Sequence, residues 1–184
     1  MQLNAATLVS ILRAAATMLA ILLVIGWAEQ VVAHPVKKSL SPPLRDPSVH
    51  EAIIGVSQDA QRMETEEDTS IRVIPRPEKD QHLTVCCLHA NILDFYLHNI
   101  LPNHNTEHPS FPKLRIDLHR VSEDLKTHGC NVTHYHNHLH AVEFRRKLEK
   151  MEGERGINKA VGEIEILFTY LHDYCVEPKP AAAK

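Results

Sequence analysis

Apolar residues recur at helical spacing along most of the chain. Between 84 and 101, Val85, Leu88, Ile92, Phe95, Tyr96 and Ile100 fall at i, i+3, i+4 intervals, which gathers them on one stripe of an amphipathic helix. Pro102 ends that segment, because proline cannot continue a helical ladder. Pro112 opens the next, whose Leu114, Leu118, Val121 and Leu125 keep a 4-3-4 spacing until Gly129 closes it. The same reasoning predicts a helix over 49–63, with Ile53, Val56 and Ala60 on one stripe and Ser48 and Glu51 forming a capping box. A further helix is expected over 134–151, carrying Leu139, Val142, Leu148 and Met151. After Gly153 and Gly156 a last helix presents Ile157, Val161, Ile164, Phe168, Leu171 and Cys175 on one face. Thr65 to Pro77, polar and then punctuated by prolines, reads as a long loop. No stretch alternates apolar and polar residues with the β-branched and aromatic richness of a strand. The expected fold is all-α, a bundle of five or six helices.

The first 33 residues follow a different pattern. Arg13 precedes an uncharged run from Ala14 to Trp27, which is short against the roughly 20 residues of a bilayer span. Such a run suits the apolar core of a secretory signal, and Val31-Val32-Ala33 offers small residues for cleavage. The expectation is an exported protein, with signal 1–33, a flexible proline-bearing arm 34–47, a helical domain 48–176 and a loose tail 177–184. The whole chain has 184 residues and a net charge of −3, which argues against a general binder of nucleic acid or anionic membrane. A local basic strip remains compatible with that total.

Export changes how the cysteines are read. Cys86, Cys87, Cys130 and Cys175 are an even set, so two disulfides are expected. Adjacent cysteines pair poorly with one another, leaving two connectivities open, in which Cys86 and Cys87 each reach Cys130 or Cys175. Asn131-Val132-Thr133 is a glycosylation sequon, so Asn131 is expected at the surface.

The densest candidate chemistry is HGCNVTHYHNHLH, residues 128–140. On a helix His134 would face His138, and His136 would face His140. A catalytic zinc needs a third ligand and a general base, yet no carboxylate lies within this run, and Cys130 is expected in a disulfide. Surface histidines without a metal are the favoured reading; a secreted histidine-rich metal binder and a surface that weakens partner binding between about pH 7.4 and 5.5 are the alternatives. Glu64, Glu66, Glu67 and Asp68 read as a solvated loop. His172 and Asp173 have no nucleophilic serine in a recognisable elbow, and no catalytic constellation emerges. The chain reads as a binding protein, with no enzyme, cofactor or metal expected.

Two segments carry a family resemblance. Cys86-Cys87-Leu88-His89-Ala90-Asn91-Ile92-Leu93-Asp94-Phe95-Tyr96-Leu97 resembles the double-cysteine helix of the interleukin-10 cytokine family. Lys159-Ala160-Val161-Gly162-Glu163-Ile164-Glu165-Ile166-Leu167-Phe168 resembles that family's final-helix signature. Thr69-Ser70-Ile71-Arg72-Val73-Ile74 and the closing Cys175-Val176 resemble its interleukin-22 branch. The resemblance implies a six-helix class II cytokine bundle with two disulfides, acting as a monomer or weak dimer. Its implied partners are the interleukin-22 receptor alpha chain and the shared interleukin-10 receptor beta chain, with a soluble binding protein as a further one, and its implied output is JAK–STAT signalling in epithelial defence and inflammation. It places Thr69, Ser70, Arg72, Lys159 and Glu163 in the main receptor contact; the plain alternative for Lys159 and Glu163 is a surface salt bridge worth under about 1 kcal/mol. It favours the pairing Cys86–Cys175 and Cys87–Cys130, with Cys87 standing in for an N-terminal cysteine that residues 34–85 lack. The double cysteine leans instead toward the interleukin-19, -20 and -24 branch, and an interleukin-26-like ligand is a further alternative, each using another receptor pair.

Overall fold

In the computed structural model, residues 41–77, 82–130, 133–151 and 153–176 are described. The expected signal, Asn131 of the sequon and the tail 177–184 lie outside them. Among the described residues seven α-helices follow in order: α1 Pro47–Gln61, the single turn α2 Glu66–Thr69, α3 His82–Phe95, α4 Phe111–Thr127, α5 Leu139–Glu149, α6 Glu154–Gly162 and α7 Ile164–Cys175. No strand occurs among the described residues.

Most helices bury the stripe their sequence foretold. Ile53, Val56 and Ala60 of α1 are buried, as are Leu114, Leu118, Val121 and Leu125 of α4. α3 lies along α7, and α1 lies along α6. Helix α3 is apolar nearly all round and is the central element, running on through a π-turn at Tyr96–Ile100 into a short 3-10 turn at Leu101–Asn103. Tyr96 is fully buried there and donates its hydroxyl to the Ala160 carbonyl at 2.7 Å.

The start of α1 differs from expectation. Asp46, not Ser48, caps it, accepting from the Ser48 amide at 2.9 Å, and Pro47 takes the first helical position, where its missing N–H costs nothing. The arm expected to stay loose through 47 is packed from Ser41 onward. Pro42–Arg45 forms a 3-10 turn, Leu44 is buried, and Ser41 Oγ donates to Asp124 Oδ2 at 2.8 Å.

Helix α5 is shorter than its apolar pattern suggested. Residues 133–137 form turns, and the helix begins at Leu139 with His138 Nδ1 accepting from the His140 amide. That register leaves Leu139 72% exposed and Val142 43% exposed, while Ala141, Phe144, Leu148 and Met151 enter the core. Phe144 stacks on Tyr96 (centroids 5.8 Å apart) and meets Phe95 edge-on at 5.6 Å.

The disulfides join Cys86 to Cys175 and Cys87 to Cys130. Successive helical residues point about 100° apart, so neighbouring sulfurs on α3 reach different partners: the end of α7 and the segment after α4. They span 89 and 43 residues, and chain entropy alone assigns closures of that length roughly 4 to 5 kcal/mol each. Gly129, at φ 97°, supplies the left-handed turn that brings Cys130 back from the end of α4.

Candidate functional site

The site grows from a break in the final helix. The repeat in this region predicts one continuous helix, but α6 ends at Gly162 and α7 starts at Ile164. Ile166 N–H turns to the Glu163 carbonyl at 3.0 Å, which leaves the Gly162 carbonyl outside the ladder. Two donors from α1 take it up: Ser57 Oγ at 2.7 Å and Gln61 Nε2 at 2.6 Å. Glycine suits the position because a Cβ would collide with Glu64 Oε1.

The break turns Lys159 and Glu163 inward. They are each 5% exposed, not a surface pair. Lys159 Nζ lies 3.0 Å from Glu64 Oε2 and 3.3 Å from Glu163 Oε1. Glu163 Oε2 in turn accepts the Val73 amide at 2.9 Å and the Ile74 amide at 2.8 Å. Two successive N–H groups presented to one carboxylate make a charge-assisted clasp that ties the loop before α3 to the α6–α7 junction. Val73 and Ile74 are both fully buried beneath it.

The rest of the loop is built to match. Thr65 and Asp68 form the capping box that starts α2. Asp68, which the sequence pattern placed in solvent with Glu64, is buried, and its carboxylate takes the Arg155 guanidinium at 2.5 Å. That contact, with the Thr65 hydroxyl, holds the Asp68 carboxyl far below the usual carboxylate range. Arg72 reaches across to α7, where its Nη2 donates to the Tyr170 hydroxyl at 2.6 Å and its guanidinium stands 5.9 Å over the same ring. Its Nε donates to the Ile74 carbonyl at 3.0 Å, and its own carbonyl accepts from Lys147 of α5 at 3.1 Å.

Thr69, Ser70, Arg72, Lys159 and Glu163 line a single open depression of about 390 Å³, with Glu64 at its base. Thr69 and Ser70 are exposed at its rim and Arg72 is half-buried, whereas Lys159 and Glu163 sit underneath. Glu64 and Tyr170 were not legible as site residues from sequence. The charge run at 64–68 hid Glu64, and Tyr170 is indistinguishable in the pattern from any aromatic on a core-facing helix.

The histidine run forms no helical pairs. His134 and His138 pack against Tyr135 from a turn, and Arg145 donates to the His136 carbonyl. Among the described residues, the one group with metal-ligand proximity is Cys86, Cys87 and Cys130, and all three sulfurs are in disulfides. No described helix is long and apolar enough to cross a membrane.

No protein-family model and no curated protein matches the chain. Among solved structures, the chain is similar to the crystal structure of zebrafish interleukin-22, with a TM-score of 0.64 and 24% identity over 76% of this chain and 99% of that one. The two chains share an all-helical fold. In that frame the depression lies between the loop leading into α3 and the last pair of helices, and its polar rim rests on a buried ionic clasp.

Proposed function

We propose that the chain is a secreted cytokine whose depression around Arg72 grips a class II cytokine receptor chain. The observation that carries this reading is the clasp. Arg72, Val73 and Ile74 are tied by Tyr170, Glu163 and Lys147 at once, so the exposed rim at Thr69, Ser70 and Arg72 is pre-organised and little ordering entropy opposes association. Thr69, Ser70 and the outer edge of Arg72 make the direct contacts; Lys159 and Glu163 set the height and angle of that rim. Arginine suits the role because its planar fork bonds a carboxylate in two places and stacks on aromatic rings. The receptor pair is the interleukin-22 receptor alpha chain with the interleukin-10 receptor beta chain, and joining them starts JAK–STAT signalling in epithelial cells. A soluble form of the high-affinity chain would engage the same depression.

The test is titration of the exported protein against separate receptor ectodomains. Tight binding to the alpha chain, with the beta chain joining only the preformed complex, is the expected result. Binding instead to an interleukin-20-type receptor pair would reassign the branch, in line with the adjacent Cys86 and Cys87. Binding to no class II receptor overturns the proposal.

A further inference from the structure

A second depression, of about 450 Å³, shares Arg72 with the first and is otherwise lined by Ile74, Arg76, His140, Glu143 and Lys147 together with the prolines of the loop. It is within the roughly 300–1,000 Å³ range of small-ligand sites. Three cationic residues and one carboxylate, Glu143, line it; Glu143 pairs with Lys147 at 3.1 Å, and the Arg72 guanidinium is held by Tyr170. The bias extends beyond the depression. In the sequence, residues 71–80 and 133–152 carry seven arginines and lysines (Arg72, Arg76, Lys79, Arg145, Arg146, Lys147, Lys150) against Glu78, Asp80, Glu143, Glu149 and Glu152, a local excess of positive charge in a chain whose total is −3. An acidic protein therefore concentrates positive charge on one loop and one helix, joined by the bond from Lys147 Nζ to the Arg72 carbonyl.

We propose that this depression binds a sulfated glycosaminoglycan, seating one sulfate-bearing disaccharide between Arg76 and Lys147 while the chain continues along the exposed basic face of α5. This rests on the extracellular reading above, since such polymers belong to cell surfaces and matrix. The chemistry favours a sulfated glycan over the other polyanions. Apart from His140, no aromatic ring lines the depression to stack a base. The apolar side chains exposed on α5, Leu139 and Val142, lack the aromatic and leucine-rich face with which helices enter an anionic membrane. Arginine forks match the oxygens of sulfate as they match phosphate. Arg76 is exposed and well placed to take one, while Lys147 supplies a point charge opposite.

Surface plasmon resonance with immobilised heparin oligosaccharide tests this directly on the exported protein. Affinity is expected to fall with salt at a log–log slope of about −2 to −3, as for two or three displaced counterions. Arg76→Glu is expected to weaken binding roughly tenfold by reversing one contact charge, while leaving circular dichroism and receptor-ectodomain binding as in the wild type. Equal binding to fully desulfated heparin, indifference to Arg76→Glu, or capture by phosphatidylserine vesicles without heparin binding would each overturn the proposal. Failure here with receptor binding intact sinks only the glycan site; heparin binding without receptor binding sinks only the function proposed above.

Discussion

Glu163→Gln isolates the clasp on which the candidate site stands. The substitution keeps the shape of the side chain and removes one charge. In the wild type a buried carboxylate oxygen accepts the Val73 and Ile74 amides at 2.9 and 2.8 Å, and the other oxygen lies 3.3 Å from Lys159 Nζ. Hydrogen bonds to a charged acceptor contribute about 1.5–3 kcal/mol each, and neutral ones about 0.5–1.5. Downgrading two of them therefore costs about 2–3 kcal/mol. The glutamine NH₂ also faces the Lys159 ammonium, donor against donor, although Lys159 keeps Glu64 at 3.0 Å. Removing a charge from the buried group recovers part of its desolvation cost, which holds the total near that range. For a domain of this size the loss lowers Tm by roughly 6–12 °C. Amide exchange gives the more specific readout: at about 1.4 kcal/mol per factor of ten, Val73 and Ile74 should exchange about 30- to 150-fold faster. Receptor affinity should fall with them, because the rim is no longer held. Wild-type exchange at both amides, measured by NMR on a folded Glu163→Gln sample, would refute the idea that this carboxylate tethers the loop.

Four other outcomes are expected. Arg72→Ala should weaken binding to the receptor ectodomain at least tenfold and cost about 1–3 kcal/mol in denaturant unfolding, because the carbonyl of buried Ile74 loses its donor along with the Tyr170 hydroxyl; unchanged affinity by surface plasmon resonance would place the contact elsewhere. Phe144→Ala should cost about 3–5 kcal/mol in guanidinium unfolding, since the ring is buried between Phe95 and Tyr96; a loss under 1 kcal/mol would mean the core repacks there. His89 is fully buried with Nδ1 donating to the Val85 carbonyl, and burial depresses its pKa below the ordinary 6.5. The unfolded chain then takes the proton first, so its contribution is present above about pH 6.5 and lost as pH falls below it; a urea midpoint that does not drop between pH 7.5 and 5.5, or drops equally in His89→Gln, would contradict this. Replacing Cys86 and Cys175 by alanine together should destabilise the fold by roughly 3–5 kcal/mol on the chain-entropy model, read as the shift in thermal midpoint.

The resemblance to interleukin-10 cytokines named residues that turn out to line one depression, and local pattern located most helices. Neither located the clasp. Lys159 and Glu163 stand four apart, and that spacing is the same on a solvated face and on a buried one. Glu64 was legible only as one acid in an acidic run, although Gly162 beside Glu163 within an apolar repeat was a signal that something approaches closely there. For α5 the error was one of register. Leu139 and Val142 satisfy a helical period as well as Ala141, Phe144 and Leu148 do, and only the neighbours decide which stripe faces inward.

By itself the sequence determined what depends on near neighbours along the chain: helical periodicity, proline starts, the Gly129 stop and an even set of cysteines. These are short-range preferences, readable within a turn or two. The tertiary structure decided what depends on contacts between distant residues: which charges are buried, which carboxylate takes which amide, and where a continuous repeat must break. Burying an ion costs free energy unless partners from other elements surround it, and such partners are identified only once the helices have come together.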